Sequence, residues 1–168
     1  MALGCLAAPA AHAQNNAAAP GEAEILGPIL FEKIADLDFG PIVPTGTGGT
    51  VTINASSGAV TTVGQVIAVG SNQTRALFNV HAPVGVVMIM SGDPSVVLTR
   101  VSGTETMTAT LSYRHGDGLA VTNVFGLPIG LLATDTRQEI WAGGSLTVAG
   151  NQVEGVYQGT FTVSLAFL

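Results

Sequence analysis

From Gly155 to Leu168 the chain reads G-V-Y-Q-G-T-F-T-V-S-L-A-F-L, and this stretch limits the possible folds more than any other. Tyr157, Gly159, Phe161, Val163, Leu165 and Phe167 fall on one side of an extended backbone, and Gln158, Thr160, Thr162 and Ser164 fall on the other. Alternation with period two is the mark of a half-buried β-strand, whereas a helix repeats its apolar positions every three to four residues. The expectation is therefore a sheet protein whose C-terminal strand helps close the core.

The rest of the chain is consistent with that start. Its 168 residues suit one domain with a sizeable core. Glycine is abundant at 22 residues, only 10% of positions are charged, and Lys33 is the one lysine. A net charge of −6 without any basic run excludes the clustered Lys and Arg that nucleic-acid binding needs. The single cysteine, Cys5, sits near the start, so no disulfide braces a processed chain. No apolar run is long enough for a membrane helix, and Val84 to Met90 reads as a buried strand.

Residues 1–13, M-A-L-G-C-L-A-A-P-A-A-H-A, resemble a short signal peptide ending in a small-x-small cleavage pattern before Gln14. Residues 14–28 are Ala-, Asn-, Gly- and Pro-containing and read as a flexible arm that becomes apolar towards Leu30. A β domain then occupies residues 29–168. Strands are expected around Leu37 to Phe39, Thr50 to Asn54, Val66 to Val69, Arg75 to Val80, Val84 to Ser91, Ser95 to Arg100, Thr106 to Tyr113, Ala120 to Phe125 and Glu139 to Val148. Val43 to Gly49 reads as a turn or loop, and Ser56-Ser57-Gly58, Ser91-Gly92-Asp93-Pro94 and Gly150-Asn151 supply further turns. Strands spaced about ten residues apart, with no convincing helix, give an all-β fold, an antiparallel immunoglobulin-like β-sandwich with a β-barrel as the alternative.

Catalytic and metal-binding patterns are missing from this sequence. His81 and His115 are far apart and lack H-x-H or H-E-x-x-H spacing, and no serine lies in G-x-S-x-G. Asp36 and Asp38 share one side of a strand and read as a solvated face. Gly46-Thr47-Gly48-Gly49-Thr50 lacks the Lys of a phosphate loop. Trp141, the lone tryptophan, reads as packing rather than as a sugar platform. The reading is non-enzymatic, with no cofactor; two or more of His81, His115, Asp117 and Asp135 clustered in one pocket would revive an enzyme.

Several segments resemble a bacterial secreted family, domain of unknown function 4402. They are Lys33-Ile34-Ala35-Asp36-Leu37-Asp38-Phe39-Gly40-Pro41-Ile42, Gly49-Thr50-Val51-Thr52-Ile53, Phe78-Asn79-Val80, Gly144-Ser145-Leu146-Thr147-Val148 and Gly155-x-Tyr157-x-Gly159-Thr160-Phe161-Thr162-Val163. The resemblance implies a secreted, periplasmic or cell-surface sandwich of a Gram-negative bacterium, similar in layout to fimbrial subunits, and it carries no catalytic residues to transfer. In chaperone–usher pilins a disordered N-terminal arm completes the sheet of the next subunit. On that likeness Tyr157, Phe161, Val163, Leu165 and Phe167 form the candidate acceptor face, and Ile25, Ile29 and Phe31 are the candidate donors. The chain departs from those pilins in ending with Phe167-Leu168 and in having no cysteine pair. The implied partners are other copies of the chain or related surface subunits, and a periplasmic chaperone. The alternative function is a monomeric adhesin or glycan-binding module using Thr45 to Gly49 and Arg114 to Gly118.

Overall fold

A computed structural model describes residues 23, 25, 27–116, 120–121, 129–132 and 137–167. Among them every regular element is a strand: β1 (Leu30–Ala35), β2 (Ile42–Ile53), β3 (Val60–Ala68), β4 (Ala76–His81), β5 (Val87–Gly92), β6 (Ser95–Arg100), β7 (Thr106–His115), β8 (Ala120–Val121), β9 (Ile129–Leu132), β10 (Arg137–Ala149), β11 (Tyr157–Gln158) and β12 (Val163–Phe167). All pairings are antiparallel, and they form a curled nine-stranded sheet and a smaller sheet ordered β12-β5-β9.

The large sheet is built on β10. One edge of this strand pairs with β7, from Ile140↔His115 to Leu146↔Ala109. Its other edge is shared, because β4 occupies Arg137 to Ala142 and β2 occupies Gly144 to Ala149. The change of partner falls at Gly143. A Cβ there would lie 2.3 Å from the Ile53 carbonyl oxygen and 2.6 Å from the Ala55 nitrogen, so only glycine lets the backbones come this close. Alternation follows from the pairing, with Gln138, Ile140, Ala142, Leu146 and Val148 buried along β10.

The fork arises because residues 30–53 and 60–81 form one long bent hairpin whose two arms exchange places. At the tip, Asn54 Oδ1 accepts from the Ser56 and Ser57 amides at 2.8 and 3.0 Å. Arg75 Nη1 donates to the Ala55 carbonyl at 2.7 Å and to that of Ser56, and its guanidinium lies 3.5 Å over the Trp141 ring. The arms cross where Asp38 and Thr74 exchange two backbone hydrogen bonds of 2.9 Å. Asp38 Oδ1 also accepts from the Gly40 amide at 2.8 Å, and Gly40 has φ +66°. Beyond the crossing β2 is the inner strand and β3 the outer one.

Two sequence expectations are corrected here. Val43 to Gly49 belongs to β2 rather than to a loop, with an irregularity between Pro44 and Gly49 where Gly46 and Gly48 have positive φ. The stretch Gly155 to Leu168 is two strands and not one. Tyr157 and Gln158 pair with Arg100 and Thr99 in the large sheet, whereas Val163 to Phe167 pair with Gly92 to Met88 in the small one. Asp93 fixes this corner. Its amide donates to the Thr162 carbonyl at 3.0 Å, its Oδ2 accepts from the Thr162 amide at 2.7 Å, and its carbonyl accepts from the Tyr113 hydroxyl at 2.7 Å. Ala120 to Phe125 was expected as a strand; Ala120 and Val121 form β8, and residues 122–125 lie outside the described residues.

Candidate functional site: an open groove between the hairpin crossing and the C-terminal segment

Among the described residues the curled sheet does not close on itself. Between the crossing segment, residues 35–44, and the segment 152–161 lies a groove of about 1340 Å³. Its floor is the domain core itself: Phe39, Phe78, Leu98, Met107, Leu146 and Val148, drawn from four strands and the crossing. Val43, Val153 and Val156 stand on the rim at 48%, 44% and 64% exposure. Isolated exposed valines are common, but here three stand around one apolar trough.

Each wall has a physical reason for its place. The crossing wall is held by the Asp38–Thr74 bonds and by the Thr74 hydroxyl, which donates to the Asp36 carbonyl at 3.1 Å. On the opposite wall the Tyr157 hydroxyl donates to the Val153 carbonyl at 2.6 Å and accepts from Gln152 Nε2 at 2.8 Å, and the Val101 amide donates to the Val156 carbonyl at 2.9 Å. Arg100, against which Gly155 packs, pairs with Glu105 at 2.7 Å, and that hydrogen bond holds the Glu105 carboxyl below its usual range. The walls meet through aromatic rings. Phe31 stacks on Phe78 with centroids 5.6 Å apart, Phe78 meets Phe161 edge-on at 6.3 Å, and Tyr113 lies 6.5 Å from Phe161.

Among the described residues β1 pairs only with β4, β11 only with β6, and β12 only with β5. The strands on both sides of the opening therefore present backbone donors and acceptors without a strand partner. An apolar floor between two unpaired edges is what an extended peptide needs: main-chain hydrogen bonds at its sides and pockets for alternate side chains. The ionisable groups at the rim are Lys33, Asp36, Asp38 and Glu154; Lys33 pairs with Asp36, and Asp38 is engaged with Gly40.

Of the candidate acceptor residues, Tyr157 and Phe161 line the groove, Val163 and Leu165 pack against the core, and Phe167 is 39% exposed near the end of β12. Of the candidate donors, Ile29 and Phe31 pack against this chain's own core, and Ile25 is 96% exposed. Sequence reasoning missed the floor residues, which come from segments far apart in the chain. His81 is half-buried at the end of β4, and His115 is buried with its Nε2 2.7 Å from Gln138 Oε1. Asp117 and Asp135 lie outside the described residues, as do residues 117 and 118 of the Arg114–Gly118 segment. Thr45 to Gly49 forms the irregular part of β2, and Trp141 carries Arg75 on the face where a sugar would stack.

A comparison with curated proteins finds none that matches. A family described as a domain of unknown function (DUF4402) matches residues 29–167, from the last residue before β1 to the end of β12. A match over nearly the whole chain, covering every strand and both walls of the groove, places this protein in the DUF4402 family.

Proposed function

We propose that this protein is a non-enzymatic structural subunit of a bacterial surface or extracellular assembly, exported and processed before Gln14, in which the groove of one copy receives an extended segment from another. The observation that supports this most directly is the core-floored groove between two unpaired strand edges. The incoming segment is the N-terminal arm, residues 14–28. Ile29 and Phe31 are already used by their own core, which leaves Ile25 as the candidate donor offered outward. Burying such side chains at roughly 1.5–3 kcal/mol each, with a ladder of backbone hydrogen bonds, makes a durable contact.

The test is size-exclusion chromatography with light scattering, beside negative-stain microscopy, on the chain from Gln14 with and without residues 14–28. Oligomers or filaments that disappear with the arm are the expected outcome. Monomers in both forms would sink the proposal and favour a monomeric binding module.

A further inference from the structure

A second surface, which borders the groove at Val43, also lacks a strand partner among the described residues. Among the described residues β3 pairs only with β2 and, at nine residues, is the longest strand with a single partner. Its sequence, V-T-T-V-G-Q-V-I-A, contains no charge and no proline. Soluble proteins usually blunt such edges with lysine, proline or very short strands. The groove-side edge strand β1, by contrast, carries Glu32 and Lys33. Val63 and Ile67 project from β3 at 71% and 55% exposure, and Val43, paired across from Ile67, is 48% exposed. The buried side of the strand is marked by Val66 at 5%.

Charge identifies the occupant. The chain carries a net charge of −6, yet every residue between Asp38 and Arg75 is uncharged. Two copies that meet through residues 39–74 meet without like charges opposed. A strand edge is also self-complementary, because an antiparallel copy related by a two-fold axis matches donors to acceptors. We infer that β3 pairs with β3 of a second copy, continuing the large sheet across a two-fold dimer. Gly64, opposite the β2 irregularity between Pro44 and Gly49, has φ +85° and interrupts the regular edge, so the dimer exchanges with monomer. This contact does not use the arm, and no β3 residue lines the groove; it joins subunits side by side where the arm would join them in series.

Sedimentation of the full chain from Gln14 tests it, with Val63→Lys/Ile67→Lys beside the unsubstituted protein. Both side chains are exposed, so folding is checked by circular dichroism. The lysines are expected to weaken the dimer at least about ten-fold by opposing like charges. Mixing this variant with Val63→Glu/Ile67→Glu is expected to restore a heterodimer, which a folding defect would not allow. The chain from Gln14 has no cysteine, so Val63→Cys is expected to form a disulfide-linked dimer under mild oxidation that Val156→Cys on the groove rim does not. A chain with no dimer, a dimer indifferent to the lysines, or equal crosslinking at both sites would overturn the inference. The same oligomers with and without the arm, the β3 dimer intact, would instead count only against the groove reading.

Discussion

Replacing Gly143 by alanine tests the fork on which the large sheet depends. At most unstrained positions Gly→Ala stabilises a protein by about 0.4–1 kcal/mol, because the unfolded chain loses freedom. Here the added Cβ would lie 2.3 Å from the Ile53 oxygen, 2.6 Å from the Ala55 nitrogen and 2.9 Å from the Ala55 Cα. All three atoms are backbone, and they are held by the Gly144↔Ile53 pairing and by Arg75 on the Ala55 carbonyl, so no side chain can swing aside. Overpacking of this kind costs about 1–3 kcal/mol, and backbone on the receiving side puts it near the upper end. After the unfolded-state gain the net loss is about 2 kcal/mol, a fall of roughly 4–8 °C in melting temperature for a domain of this size. Urea and thermal unfolding followed by circular dichroism measure it, with Trp141 fluorescence as a second probe two residues away. Gly70→Ala serves as the control: its φ is +76° with nothing within 4 Å, so it should lose only the backbone preference, about 1 kcal/mol. A Gly143→Ala protein as stable as the parent would show that β2 and β4 do not converge on β10 at this residue.

Further predictions concern the corner, the hairpin tip and the groove. Burial pushes the Tyr113 phenol well above its usual value, with the charge of Asp93 adding to the shift. The folded state thus holds this proton more tightly, and the stability it contributes is complete below about pH 10 and lost as pH rises above it. Tyr113→Phe should cost about 1 kcal/mol near neutrality, through the hydrogen bond to Asp93, and should lessen the alkaline loss in pH-dependent melting. Arg75→Ala uncovers the face of the only tryptophan, so acrylamide quenching of Trp141 should rise and stability fall by about 1–2 kcal/mol; unchanged quenching would mean that the guanidinium does not cover the ring. The arm carries Glu22 and Glu24 and the groove rim Asp36, Asp38 and Glu154 against Lys33. Arm-dependent assembly should therefore strengthen as salt shortens the screening length from about 30 to 8 Å, and weakening in salt would argue against the arm as occupant.

The all-β antiparallel class was readable from period-two alternation, and most strands lie where that pattern places them. The corner in the C-terminal segment was not readable, because Tyr157, Phe161, Val163 and Leu165 keep the same parity on both sides of it. Parity records which side faces the core, and the core is common to both sheets. The glycines of Gly46-Thr47-Gly48-Gly49 suggested a loop, since positive φ is more common in turns; here they relax the register inside a strand. The groove was the least readable feature. Its floor joins Phe39 and Phe78 to Leu98, Met107 and Leu146, and nothing local marks side chains that come together only after the chain has curled.

The position of β10 also governs when the molecule can become itself. The strand at the centre of the large sheet begins at Arg137, so the long hairpin of residues 30–81 leaves the ribosome before the surface it must lean on exists. Pairings that span so much of the chain are slow to form, and until they do Val51, Ile53 and Val80, all fully buried in the finished domain, stay open to water. Residues 39–74 of the hairpin carry no charge to repel a neighbour during that wait. The interval between its synthesis and that of β10 is therefore when the nascent chain is most exposed to sticking, and when a holding chaperone would have the most to do.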